Sequence, residues 1–255
     1  MGIGVIGLVL AALIGVSLGV LGGGGSILTV PVFVYVLGFG AKEAVTMSLV
    51  VVGVASLFGA VGHWRQGDVR LRIALTFGAI ATAGAYTGAR LAVFFSGSAQ
   101  LLILAGVMLV AAFFMFRGRT AAGTEKGAGR GSSVGLAALG AGVGVLTGLV
   151  GVGGGFLIVP ALVLLGGMAM RDAVGTSLPV ISLNAAAGFA GHLGNVDLRW
   201  GFVALFTAAA VAGILGGTRL ARYVPQGALR KFFAVFLVAV GIFVVYQNQG
   251  ALPVL

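Results

Sequence analysis

Apolar residues fall in ten runs separated by polar or glycine-rich breaks, approximately 3–21, 27–39, 44–64, 71–91, 98–116, 134–150, 156–168, 173–193, 200–220 and 230–247. Eight of them are long enough to span a hydrocarbon core of roughly 30 Å, which takes about 20 residues as a helix. The second and seventh are short, and each follows a run of glycines: GGGGSILTVP at 22–31 and GVGGGFLIVP at 151–160. The first run has no basic segment before it and no convincing cleavage site after it, so it reads as a retained helix rather than a signal peptide.

The two short runs are related. Displacing the sequence by 129 positions aligns 22–91 with 151–220 without a gap, and about 25 of the roughly 70 pairs are identical. Pro31 meets Pro160, Ser48 meets Ser177, His63 meets His192, Asp68 meets Asp197 and Arg70 meets Arg199. Apolar bias alone would not match histidines and aspartates, so the chain is an internal duplication. Its expected units are a first transmembrane repeat at 1–116, a cytoplasmic linker at 117–133 (RGRTAAGTEKGAGRGSS) and a second repeat at 134–255.

Loop charge gives the orientation. If the short runs cross, each half has five spans and the second half is inverted. With the linker in the cytoplasm, 12 basic residues then lie inside, and only Lys42, Arg90 and Arg199 lie outside. If both short runs are re-entrant, the halves are parallel and the count becomes 8 against 7. The positive-inside rule selects the inverted arrangement, with both termini outside the cytoplasm. The fold class expected is therefore an all-α polytopic membrane protein, with about ten transmembrane segments in two inverted five-segment repeats.

Composition agrees: 60% of residues are hydrophobic and 8% charged, and the mean hydropathy is +1.18. The 47 glycines suit close helix packing and unwound backbone. Net charge is +10, but the 15 basic residues are scattered singly at the ends of apolar runs, which argues against nucleic-acid binding. With no cysteine and two histidines, a metal site has a poor ligand set, and no cofactor is implied. The five carboxylates all fall in predicted loops, and no nucleophile-elbow, phosphate-loop or H-E-x-x-H pattern occurs, so an enzyme is not the expected reading.

The two glycine-proline motifs are each followed by a basic-acidic pair with Ala-Val (KEAVTMS, RDAVGTS), then by Gly-His and by D-x-R. This combination closely resembles the TauE/SafE family, also called the sulfite exporter or TSUP family, over nearly the whole chain. The resemblance implies a bacterial or archaeal inner-membrane carrier for small sulfur-containing anions such as sulfite, sulfoacetate or other organosulfonates. One departure is that Pro179 follows Ser177-Leu178 where the first half has Val50.

An anion inside a bilayer needs a partner for its charge, and the N-terminal N–H groups of interrupted helices supply one. Candidate binding residues are therefore Gly24, Gly25, Ser26 and Thr29 of the first motif, Gly153, Gly154 and Gly155 of the second, and the spanning polar residues Ser48, Ser177 and Asn184. Against this stand the plainer readings that the glycines only let helices touch, and that the hydroxyls bond back to their own helices. His63 and His192 could carry a coupled proton, or could be water-exposed caps beside Asp68 and Asp197. Lys42-Glu43 and Arg171-Asp172 read as shared hairpin geometry, and Arg90 and Arg219 as interfacial anchors. The partners expected are a small sulfur anion, the bilayer and, through the histidines, protons. The competing functions are a passive anion channel and a membrane scaffold or enzyme without transport.

Overall fold

The computed structural model describes residues 4–117, 133–150, 155–164, 166–192 and 198–247. Among the described residues it holds ten α-helices and no strand. Those of the first half are α1 (Val5–Leu21), α2 (Gly24–Pro31), α3 (Ala41–Trp64), α4 (Leu71–Leu91) and α5 (Gly97–Arg117). Those of the second are α6 (Ser133–Val150), α7 (Gly155–Leu164), α8 (Met170–His192), α9 (Trp200–Leu220) and α10 (Gln226–Gln247). The expected linker falls almost wholly outside the described residues.

Among the described residues five helices are long and apolar enough to cross a membrane, within α3, α5, α8, α9 and α10. The sequence reading expected eight. α1 has 17 residues, and α4, though it has 21, carries Arg72 and Arg90 among many small residues. Val9, Leu13, Leu75, Phe113, Phe232 and Ile242 are each at least half exposed on the outer surface, as a hydrocarbon-facing band requires.

The contacts repeat in the same register as the sequence. A Cβ on Gly188 would stand 3.3 Å from Leu49, and one on Gly59 would stand 3.3 Å from Leu178. Because 49 and 178, and 59 and 188, are repeat mates, each contact is the other with the halves exchanged, the signature of a two-fold relation. Low numbers on α3 meet high numbers on α8, so these equivalent helices are antiparallel and the halves are inverted, as the loop charges indicated.

The remaining pairs follow the same axis. Gly15 and Gly19 of α1 lie against the backbone of Ala210 and Ile214 in α9. Their mates Gly144 and Gly148 of α6 lie against Ala81 and Ala85 in α4. Gly213 and Gly217 answer from α9, Gly84 and Gly88 from α4, so each interface has small residues four apart on both helices. Lipid tails give helices no hydrophobic reason to associate, so close backbone packing of this kind is the main cohesion available. Each half thus contributes its first helix to the other half's fourth.

These contacts also decide whether the short segments cross. α1 runs parallel to α9, matching 15 with 210 and 19 with 214, and α3 runs parallel to α9, matching Gly59 with Ile214 and Gly62 with Thr218. α1 and α3 therefore point the same way, and the chain between them must return across the layer. It does so in α2, which beyond Pro31 widens into a π-helical turn, Val32–Val36, closed by the Leu37 N–H donating to the Val32 carbonyl at 3.0 Å. A proline ring crowds the preceding turn and lacks an N–H, a common cause of such irregular turns. The 13 residues Gly24–Val36 reach only about 20 Å, less than a hydrocarbon core, so α2 starts below the membrane surface.

Candidate functional site

The start of α2 meets the start of α7. Gly22, at φ 63°, ends α1 in the left-handed region that favours glycine, and the chain reverses so that Gly24 and Gly25 already belong to the first turn of α2. The unwound stretch is thus shorter than the sequence reading held. Gly23 packs directly on the backbone of Gly155, and Gly155 in turn lies against Ile181. A Cβ on Gly22 would stand 2.7 Å from Ser177 Oγ. Ile181 is close to the α3–α8 crossing, where a Cβ on Gly53 would be 3.1 Å from Ala185, so the two short helices begin near mid-depth. Gly153 and Gly154, the other expected members of the second motif, lie outside the described residues.

Gly25 has a packing role. A side chain there would meet the Leu18 N–H and, at 2.6 Å, the Ile14 carbonyl, so glycine lets α2 lie back along α1. Ser26 Oγ donates to the Gly23 carbonyl at 2.6 Å, tying the turn to the helix start. Ser48 and Ser177, the matched pair, donate to the Val45 and Val174 carbonyls of their own helices at 2.7 and 2.8 Å, which is the plainer of the two readings. Thr29, one turn further into α2, is fully buried, and its hydroxyl has no partner among the described residues.

Asn184 is buried on α8 beside the central crossing. Thr82 of α4, a residue the sequence reading missed, donates to its Oδ1 at 3.0 Å, while its Nδ2 has no partner among the described residues. An amide donor left unpaired in an apolar interior costs free energy, and a polar ligand or water would recover it.

The histidines are not exposed caps. His63 is fully buried in the last turn of α3, its Nε2 3.0 Å from the Gly19 carbonyl and its Nδ1 3.4 Å from Asp68 Oδ2. The imidazole thus bridges α1 and the loop that follows α3. His192 is also buried but faces the Gly188 carbonyl of its own helix at 2.9 Å; Asp197 lies outside the described residues. The two stand at opposite ends of the antiparallel α3 and α8.

Charges that the sequence reading treated as hairpin geometry are instead joined between the halves. Arg70 donates from Nε and Nη2 to Asp172 Oδ2 at 3.0 and 2.8 Å. In the repeat register this pair becomes Arg199 with Glu43, and those two are an ion pair at 3.5 Å. Glu43 and Asp172 lie in the first turns of α3 and α8, not in loops, where the helix dipole favours an anion. One pair closes the end of the bundle that holds the α3–α4 loop, hereafter the linker end; the other closes the terminal end. At the linker end the Arg70 N–H also donates to Thr176 Oγ1 at 3.0 Å and Gln66 Nε2 to the Thr218 carbonyl at 3.3 Å. Arg90 and Arg219 are exposed in the last turns of α4 and α9.

The inverted bundle defines an all-α polytopic membrane protein, and comparison with known proteins gives its family. The family model described as sulfite exporter TauE/SafE matches residues 7–244, and the chain belongs to that family. It is 36% identical over 111 residues to a "Probable membrane transporter protein" of Xylella fastidiosa strain Temecula1, covering 43% of this chain and 42% of that one. It is 28% identical over 103 residues to the "Probable membrane transporter protein YdhB" of Bacillus subtilis strain 168, covering 40% and 42%. The matched segment thus spans less than half the length of these curated relatives. No solved structure matches the chain.

Proposed function

We propose that the protein is a secondary carrier that exports small sulfur-containing anions, such as sulfite, sulfoacetate or other organosulfonates, across a bacterial or archaeal cytoplasmic membrane by alternating access. In this reading the repeats 1–116 and 134–255 are joined by a cytoplasmic linker at 117–133, and both termini lie outside the cytoplasm. The observation that carries it is the abutment of Gly23 on Gly155 at the start of two short antiparallel helices. The first turns of the two helices, and their two positive dipole ends, then converge.

The family supports the substrate class, and the paired closures support the mechanism. Arg70–Asp172 and Arg199–Glu43 are one contact written twice, at opposite ends. A carrier needs two such closures that can open in turn; a channel does not. The sequence carries no nucleotide-binding motif, and an inside-negative potential favours anion exit by about 2.3 kcal/mol per charge per 100 mV. The test is counterflow: liposomes loaded with unlabelled sulfite should transiently accumulate labelled sulfite. Flux linear in concentration without counterflow would instead identify a passive anion channel.

A further inference from the structure

We propose that a polar cavity at the linker end is a second oxyanion site, which collects a small anion on that side before it reaches the glycine turns, and that the terminal end lacks a counterpart. The proposal rests on the carrier reading for its role in transport. The cavity has a volume of about 400 Å³ and is lined by Arg65, Gln66, Asp68, Arg171 and Arg222. Three guanidinium-bearing residues face one carboxylate, and that carboxylate is turned towards His63.

None of the three arginines has an ion-pair partner among the described residues; Arg171 spends one N–H on the Arg222 carbonyl at 3.2 Å. Each guanidinium offers five donors in a fixed fork that fits two oxygens of a sulfur or phosphorus oxyanion. The site is also connected to the centre. The backbone of Asp68 packs on Gly175, Arg70 is bonded to Thr176, and Ser177 touches Gly22, so cavity, loop and glycine turn follow one another along α8.

The repeat supplies the independent argument. In the 129-residue register Arg65 becomes Gly194, Gln66 becomes Asn195, Arg171 becomes Lys42 and Arg222 becomes Val93. The two-fold keeps the closing ion pairs at both ends but keeps neither Arg65 nor Arg222. Membrane orientation asks only for positive charge on this side, which the linker also carries. It does not ask for three guanidiniums around one cavity.

The test uses full-length protein in liposomes sorted by orientation, with labelled sulfite offered from either side. Arg65→Gln, Arg171→Gln and Arg222→Gln should each raise KM from the linker side about tenfold, the scale of one charge-assisted hydrogen bond, and change KM from the terminal side less than about twofold. Arg72→Gln, which removes an exposed charge at the same end outside the cavity, should change neither. Equal effects from both sides, or none, would overturn the proposal. An effect seen only with anionic lipid would overturn it by assigning the site to a headgroup phosphate. A readout independent of transport is phenylglyoxal modification of Arg65, followed by mass spectrometry, which sulfite should slow. If wild-type protein moves no sulfur anion but shows this protection, the carrier reading fails and the cavity stands; without protection the cavity proposal fails whatever is transported.

Discussion

Replacing Gly23 with alanine tests the meeting of the two short helices. The new methyl would fall on the carbonyl group of Gly155, which is backbone, so no rotamer change relieves the clash. Ordinary contact lies at 3.4–4 Å, so α2 and α7 must part by on the order of 1 Å or more, at the roughly 1–3 kcal/mol typical of overpacking. That is a fraction of the roughly 5–15 kcal/mol stability of a typical fold, so the variant should still insert and fold.

Binding should suffer more. Charge-assisted hydrogen bonds hold at about 2.7–2.9 Å, so a shift of this size takes one helix start out of reach of an anion held by the other. At about 1.5–3 kcal/mol for such a bond, KM for sulfite should rise roughly 10- to 100-fold. The assay is sulfite uptake into liposomes beside thermal unfolding of the same preparation. Gly142→Ala on α6, where no heavy atom lies within 4 Å, should match wild type. Gly24→Ala should fall between, because it meets the side chains of Leu21 and Phe233, which can move. If Gly23→Ala lowers the unfolding temperature while KM stays within about twofold, the abutment is packing and the binding argument is wrong.

Three further outcomes are expected. The ion pairs are largely exposed, so each is worth about 0.2–1 kcal/mol, roughly a 1.4- to 5-fold shift between conformations. Since the chain has no cysteine, single cysteines report access cleanly: Arg70→Gln should raise labelling from the linker end and Arg199→Gln from the terminal end, and a shift in the same direction for both would refute alternating closure. Asn184→Leu should impair sulfite affinity more than Thr82→Val, because both lose the mutual hydrogen bond but only the first loses the unpartnered Nδ2; equal effects would show that Nδ2 meets no substrate. His63 bridges the Gly19 carbonyl of α1 and Asp68 of the α3–α4 loop and so ties α1 to the linker end. His63→Leu should therefore raise cysteine labelling from the linker end, while His192→Leu, which loses only a contact within its own helix, should leave that labelling unchanged; if His63→Leu also leaves it unchanged, His63 does not close that end.

The architecture was legible in the sequence because inversion leaves two marks there, a gapless repeat and opposite loop charge in its halves. The site was legible only in part. Glycine runs announce backbone exceptions, but not that Gly25 serves packing on α1 while Gly23 serves contact with Gly155. Burial of His63 was hidden because a histidine next to a loop looks wet; the approach of α1 at Gly19 and the turn of Asp68 towards the ring lie beyond what the local sequence shows. The ion pairs were missed for a different reason. Glu43, Arg70, Asp172 and Arg199 were all seen to recur, but each was considered within its own half, whereas a two-fold between inverted halves joins residues across them. Applied to the repeat, that rule would have suggested 70 with 172 as soon as 43 was paired with 199.

Counterflow in purified, reconstituted protein tests the central claim most directly. Liposomes preloaded with unlabelled sulfite and diluted into trace labelled sulfite should show a transient overshoot of label, which Gly23→Ala diminishes and Gly142→Ala leaves intact. Uptake that never exceeds equilibrium and rises linearly with sulfite, or no movement of any small sulfur anion under any gradient, would contradict an alternating carrier built around the paired glycine turns.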